Sequence, residues 1–336
     1  MSISVLRPGL LTTVQDLGRP GYQQAGIVVG GALDALALRV ANLLVGNPET
    51  AAGLEITLRG PTLRFETDHL VALTGADLTP TIGGQALPLH RPVWVRAGAE
   101  LVFGGARAGC RAYLAVSGGL AVPLVLGSRA TYLRAALGGL DGRALRAGDQ
   151  LPAPGPTPAG QQLARQLRAA AAASHWAAST WTPGPALRPT PHPAPSIRAL
   201  RGPEYGQFSA ASQWAFWHEP FGVTAAADRM GYRLQGPALA RTVATELLSS
   251  AVTFGTVQVP AGGQAIVLLA DCQTTGGYPR LAQVITADFA ALAQARPGQR
   301  LRFQEVTLAE AQALYLAQEQ RLHALRRALA VKLFTA

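Results

Sequence analysis

Lysine is nearly missing from this chain. Of 29 basic residues only Lys332 is a lysine, and it sits in AVKLF, far along the sequence from any glycine-rich turn. A Walker-type loop needs a lysine on its phosphates, Schiff-base chemistry needs a lysine amine, and biotin carriers tether their cofactor to one. Chemistry of those kinds would draw the missing groups from another chain or follow an unfamiliar route. Cysteine is as scarce: Cys110 and Cys272 make neither a disulfide framework nor a zinc site. The six histidines fall outside every polar motif described below, His218 stands alone in WHEPF, and GxSxG is absent, so a Ser-His-Asp triad has no visible base. Long apolar runs are lacking too. YLAVSGGLAVPLVLG is broken by Gly and Pro and falls short of the roughly 20 residues of a membrane span. MSISVLRPGL carries Arg and Pro where a signal peptide would have its apolar core. The expectation is a soluble, cytoplasmic protein with no membrane partner.

Acidic residues number 19, leaving a net charge of +10. The excess is diffuse. Residues 1–150 hold 13 basic and 10 acidic side chains, residues 201–336 hold 12 and 9, and residues 151–200 hold four arginines and no acid. Basic stripes interleaved with stacking aromatics, the footprint of a nucleic-acid binder, are not visible, so no nucleic-acid partner is expected.

What is abundant is glycine, proline and short apolar runs. With 336 residues, 49% of them hydrophobic, the chain can build two cores. The segment 151–196 contains 10 of the 24 prolines and reads as a Pro/Ala-rich linker with one Ala-rich helix near 160–178. It divides the chain into an N-terminal β domain (1–150), a C-terminal β domain (197–307) and a C-terminal helix (308–336). His175 and His192, inside the linker, read as exposed bystanders. Strand-like runs with Gly/Pro punctuation fill both domains: TLRFE, HLVALTG, PVWVRAG and RAYLAVSGG in the first, VQVP, AIVLLA, LAQVI and LRFQEV in the second. In GGALDALALRVANLLVGN, Leu33, Leu36, Ala37, Val40, Leu43 and Leu44 follow helical spacing, with Gly46 and Asn47 as the stop. The fold class expected is mainly β with a few helices.

Polar chemistry gathers at several turns. DCQTTGGYPR (271–280) leaves an apolar strand with Asp271, Gln273, Thr274, Thr275, Gly276, Gly277 and Tyr278, far more hydrogen-bonding capacity than a hairpin needs. DRMGYRL supplies Arg229 and Arg233, and VQVP supplies Gln258. Arginine, amides, hydroxyls and glycines suit a small planar amide or carboxylate. In the first half, Gln15, Asp16 and Arg19 lie between glycines; Asp16 and Arg19 could form an ion pair or anion site, or merely brace a loop. Asp77 and Ser117 sit at the mouths of other turns. Gly30–Gly31 before the helix would suit a phosphate cradle, but Asp34 in the helix's first turn would cap it and repel a phosphate. Cys272 follows an acid that should raise its thiol pKa, which argues against a nucleophile. No metal cluster emerges.

Taken together, PGLLTTVQDLGRPGYQ, GGALD, LEITLRGPTLRF, ALTGAD, GCRAYLAVSGG, LGSRAT, DRMGYRL, VQVP and QTTGGYPRLAQVI resemble the C subunit of 5-oxoprolinase, in the biotin-dependent carboxyltransferase-like, allophanate-hydrolase-subunit-2 family. The likeness runs from about residue 3 to 307 in the same order, linker excluded. It implies two cyclophilin-like β-barrel domains and two partners, the B and A subunits, which together open 5-oxo-L-proline to L-glutamate with ATP. Where the family usually carries Arg after the Asp of the last motif, this chain has Cys272.

The resulting expectation is a subunit of an ATP-dependent 5-oxoprolinase, a lactam hydrolase active only with partner chains. From their chemistry, Arg229 or Arg233 would hold the substrate carboxylate. Gln273, Thr274 and Thr275 would bind the lactam amide, and Asp271 would orient a donor or take a proton. Gln258, Gly276, Gly277, Tyr278, Gln15, Asp16, Arg19, Asp77 and Ser117 complete the substrate-binding set. The alternatives are the carboxyltransferase part of a urea- or amide-carboxylating enzyme, receiving its carboxyl group from biotin on another chain, and a non-catalytic regulatory binder of a B-type partner chain.

Overall fold

The first strand buries its middle and exposes its end: Ile3, Ser4 and Val5 are buried while Leu6 and Arg7 reach solvent. The computed structural model describes residues 2–171, 174–188, 191–243 and 247–334, and the chain divides into two units. The first holds residues 1–18, 34–190 and 319–336, the second 19–33 and 191–318.

The strands of the first unit are β1 (Ser2–Arg7), β2 (Leu11–Gln15), β3 (Gly53–Thr57), β4 (Thr62–Phe65), β5 (His69–Asp77), β6 (Thr81–Ile82), β7 (Gln85–Ala86), β8 (Pro92–Val95), β9 (Glu100–Val102), β10 (Ala108–Val116), β11 (Gln150–Pro152) and β12 (Trp176–Ala178). They form two six-stranded sheets, in the orders β11-β1-β4-β9-β6-β7 and β12-β8-β5-β10-β3-β2. Ile3, Phe65 and Leu101 of one sheet and Leu54, Leu73 and Leu114 of the other share a single apolar core. The helix α1 (Ala35–Leu44) begins as its sequence dictates. Asp34 caps it by accepting from the Ala37 N–H at 2.9 Å, and Gly46 follows its end at φ +74°.

The proline-rich stretch 151–196, expected as a linker, is part of this unit through residue 188. Its prolines sit where strands and helices tolerate them: Pro152 on the edge strand β11, and Pro158 in the first turn of α2 (Pro158–Ala170), behind the N-cap Thr157. The helix α2 packs on β5 and β8, and β12 pairs antiparallel with β8, so the helical pattern expected up to 178 gives way to a strand at Trp176. His175 and His192 are exposed.

In the second unit, β13 (Ser196–Arg201), α3 (Ala210–His218), β14 (Phe221–Val223), β15 (Gly231–Gln235), β16 (Ser250–Ala251), β17 (Thr256–Gln258), β18 (Ile266–Leu268), β19 (Thr275–Gly276), β20 (Arg280–Val284), α4 (Phe289–Ala293) and β21 (Arg300–Glu305) follow in order. Seven strands close a barrel, β13-β20-β17-β18-β15-β14-β21, with β13 and β21 parallel; β16 and β19 make a separate ribbon. Phe216 of α3 stacks on Phe303 at 4.6 Å inside the barrel core, which Leu33 of the segment 19–33 also enters. The helix α5 (Leu308–Phe334) starts in a capping box, Glu310 accepting from the Thr307 N–H while its own N–H donates to Thr307 Oγ1. From Glu319 onward it belongs to the first unit, where Arg39 grips Glu319 through two hydrogen bonds and Glu49 holds both Arg39 and Arg326. The fold is mainly β with a few helices, and among the described residues no helix is long and apolar enough to cross a membrane.

Candidate functional site

The loop after β18 divides into a buried start and an exposed remainder. Asp271 is 4% exposed and takes a two-point ion pair from Arg229: Nε donates to Oδ2 and Nη2 to Oδ1, each at 2.9 Å. Backbone bonds fasten the same two segments, with the Asp271 N–H donating to the Arg229 carbonyl at 3.0 Å. Arg229 Nη2 also donates to the Gly31 carbonyl at 2.6 Å, and the Gly30 N–H donates to the Ala270 carbonyl at 3.1 Å. Gly30 has φ +65°, and a Cβ there would stand 3.5 Å from Arg19 Nη1 and 3.6 Å from Asp271 Oδ1. Five residues from four places in the sequence thus converge in the second unit: Arg19, the pair Gly30–Gly31, Arg229 and Asp271. The glycine pair that reads as a phosphate cradle serves as the turn that receives Arg229.

Beyond Asp271 the loop opens. Cys272 is buried, and burial, with the Asp271 charge adding to it, pushes its thiol up to about 11. Gln273 and Thr275 are exposed and Thr274 half-buried; the Thr274 carbonyl accepts from the Val252 N–H at 3.1 Å. Thr275 and Gly276 pair with Ala251 and Ser250 in the β16–β19 ribbon. Gln258, buried in β17, donates from Nε2 to the Tyr278 carbonyl at 3.2 Å; a Cβ at Gly276 would come within 2.7 Å of that nitrogen and push the amide aside. Gly277, Tyr278 and Pro279 then border a cavity of about 760 Å³, walled also by Leu239, Arg241 and Val259. Tyr278 is 51% exposed, and Arg241 donates to Gln207 Oε1 at 2.6 Å. Arg233 is exposed on β15, between the buried Tyr232 and Leu234 that face the barrel interior.

The family model for the carboxyltransferase domain, subdomain A and B, matches residues 25–305. The 5-oxoprolinase C subunit of Escherichia coli (strain K12) is 45% identical over 309 residues, covering 92% of this chain and 93% of that protein. This chain belongs to the 5-oxoprolinase C-subunit family. A second member, from Haemophilus influenzae, is 41% identical over 325 residues, 97% of this chain and 98% of that one. The crystal structure of the Kluyveromyces lactis urea amidolyase superposes with a TM-score of 0.85 at 27% identity, covering 96% of this chain and 20% of that much longer one.

The other expected site residues of this family member lie in the first unit. Asp16 accepts from the Gly18 N–H at 2.8 Å, Ser128 Oγ at 2.6 Å and the Arg129 N–H at 2.6 Å, which braces the loop around it. Gln15 donates from Nε2 to Thr13 Oγ1 and the Thr131 carbonyl. Asp77 accepts from the Thr79 N–H and the Arg107 guanidinium at the end of β5. Ser117 donates to the Val45 carbonyl at 2.9 Å.

Two features escape inspection of the sequence. Thr13, Glu55, Tyr113 and Thr74 stand opposite one another on β2, β3, β10 and β5, forming a buried polar row across the second sheet on the face away from its apolar core. Tyr113 Oη donates to Glu55 Oε2 at 2.7 Å and accepts from the Asp34 N–H at 2.8 Å, while Thr74 Oγ1 donates to the Ala37 carbonyl of α1. Burial and the neighbouring carboxylates of Glu55 and Asp34 hold the Tyr113 hydroxyl far above its usual pKa, so it is a fixed donor. A partial signal exists: alternation predicts that Glu55 and Tyr113 share a face, but pairing of the strands is needed to align them. Arg241 at the cavity carries no signal at all, because nothing near it in sequence resembles a motif.

Proposed function

We propose that this chain is the C subunit of an ATP-dependent 5-oxoprolinase, acting with A-type and B-type subunits to open 5-oxo-L-proline to L-glutamate. The observation carrying this reading is that the polar loop following Asp271 emerges from a locked, buried start and borders a cavity of about 760 Å³, in a chain matching the 5-oxoprolinase C subunit along nearly its whole length. Such a volume suits a small-molecule site. In this reading Gln273, Thr274 and Thr275 bind the lactam amide. Arg241, which lines the cavity bordered by Gly277, Tyr278 and Pro279 and whose Nη2 donates to Gln207, meets the carboxylate, in place of Arg229, whose Nε and Nη2 are committed to Asp271 and Gly31, and of Arg233 on the outer strand face. Asp271 then acts as a positioning residue, fixing the loop through Arg229 rather than touching substrate.

The overall reaction balances as 5-oxo-L-proline, ATP and two waters giving L-glutamate, ADP and phosphate. The lone lysine, Lys332, holds its ammonium over the Trp181 ring at 5.5 Å and is committed there. In this reading the phosphate-handling groups come from the partner chains, and no step here is assigned to them. The test is reconstitution with the cognate A and B chains, measuring glutamate from 5-oxo-L-proline with and without ATP. ATP-dependent glutamate is expected. Thr274→Ala with Thr275→Ala should cut turnover while partner binding and fold persist; unchanged turnover would remove the loop from the site.

A second reading is favoured by the likeness to urea amidolyase and by the carboxyltransferase family model. Here the same cavity accepts an amide that is carboxylated from biotin borne by another chain. Biotin-dependent carboxylation with no glutamate from the full mixture would decide for it.

A further inference from the structure

The stretch that reads as a linker builds one wall of a second cavity, in the first unit. This cavity, of about 410 Å³, lies between α2 and the sheet strands beneath it. Its floor comes from β5, β8 and the turn after β10: His69, Leu70, Trp94 and Ser117. Its other wall comes from α2, with Ala164, Arg165 and Arg168. Arg165 and Arg168 are three apart, hence on one helix face.

The polar groups of the floor are already committed. Ser117 Oγ donates to the Val45 carbonyl, and Asp68, at the rim, accepts from the Ala97 N–H through Oδ1. His69 is 5% exposed, with Nε2 3.3 Å from Thr67 Oγ1. The arginines are different. Arg165 spends one N–H on the Gln161 carbonyl of its own helix at 3.4 Å, and Arg168 has only a 3.4 Å ion contact with Asp68 Oδ2. Each guanidinium offers five donors, and both arginines are exposed, so most of this capacity is open to solvent at the cavity's mouth. Two cations against one carboxylate leave the rim positive, above a floor in which Trp94 and Leu70 are each only 2% exposed.

We infer that the mouth of this cavity binds a small oxyanion, a carboxylate or phosphate held by Arg165 and Arg168. A fork of guanidinium donors matches either anion's geometry, and the volume falls within the range of small-ligand sites. The inference is independent of the proposed activity, because none of these residues belongs to the loop after Asp271.

The experiment titrates the full-length chain with benzoate, inorganic phosphate and the uncharged isostere benzamide, reading tryptophan fluorescence and heat. Saturable binding of an anion but not of benzamide is expected. Affinity should fall by about tenfold or more in Arg165→Ala with Arg168→Ala, at an unchanged melting temperature. Ala164→Trp, which fills the cavity and keeps both arginines, should abolish binding as well and guards against a folding defect in the double variant. Tighter binding of benzoate identifies a carboxylate as the occupant; tighter binding of phosphate identifies a phosphate. The inference is overturned if no anion binds saturably, if benzamide binds as well as benzoate, or if binding survives both sets of substitutions.

Discussion

Arg229 and Asp271, 42 residues apart in sequence, meet through two hydrogen bonds of 2.9 Å with both side chains buried. The pair joins the turn before β15 to the exit of β18, and its second guanidinium contact, on the Gly31 carbonyl, ties in a third segment. Removing one partner leaves a buried charge without its mate. Asp271→Asn or Arg229→Ala should therefore cost about 3–5 kcal/mol in urea unfolding. The double replacement Arg229→Met, Asp271→Leu should cost clearly less than the sum of the single changes. Additive losses would mean that the two side chains stabilise the loop separately.

Cys272 should be inert in the folded chain. With its thiol pushed up to about 11 by burial and by Asp271, on the order of one molecule in a few thousand carries the thiolate at pH 7.5. Iodoacetamide should label it only after denaturant is added, and mass spectrometry reads the outcome. Fast labelling of the native protein would contradict the buried placement.

Two histidines should make the first unit acid-sensitive. Burial lowers His69 to about 4 and, with Arg188 nearby, lowers His90 to about 4. A folded pKa below the unfolded value means the unfolded chain binds more protons between pH 6.5 and 4. Stability is thus complete above about pH 6.5 and is lost as pH falls towards 4, by up to a few kcal/mol for the deeply buried His69 and less for the half-buried His90. Urea midpoints at pH 7, 5.5 and 4.5 should decline in that order, and His69→Gln should flatten the slope. His90→Asn is the matching control, since asparagine tolerates the φ of +57° at that position. A slope unchanged in both variants would assign the acid sensitivity to other groups.

Glu49 should govern the fastening of the second half of α5. Its carboxylate binds Arg39 and Arg326, which hold it below the usual carboxylate range, and Arg39 in turn binds Glu319. Glu49→Gln should weaken amide-exchange protection over residues 319–334 by about 1 kcal/mol, as expected of partly exposed pairs. Protection equal to wild type would show that Arg39–Glu319 suffices.

Local rules make much of this fold legible in the sequence. The helix after Gly31 can be read because its start, stripe and stop are encoded within a few residues: Asp34 as cap, the spaced leucines, and Gly46. Short Gly/Pro-bounded apolar runs give the β-rich class for the same reason. The proline-rich stretch misleads because proline content reports only on lost donors and fixed φ, and Pro152 and Pro158 occupy an edge strand and a helix's first turn, where neither matters. The excess of polar groups in DCQTTGGYPR is visible, but its division is not: Asp271 goes inward to an arginine and Tyr278 outward to a cavity.

The order of residues alone therefore determined which segments could be strands, where α1 begins and ends, the scarcity of lysine and the family likeness, since each depends on neighbours within a turn or two or on identity at matched positions. Tertiary structure alone decided that Asp271 belongs to Arg229, that Glu55 and Tyr113 align across two strands, and that α2 closes a cavity over Trp94. Those outcomes rest on strand register and on the cost of burying charge unpaired, and both are set by segments far apart in the chain.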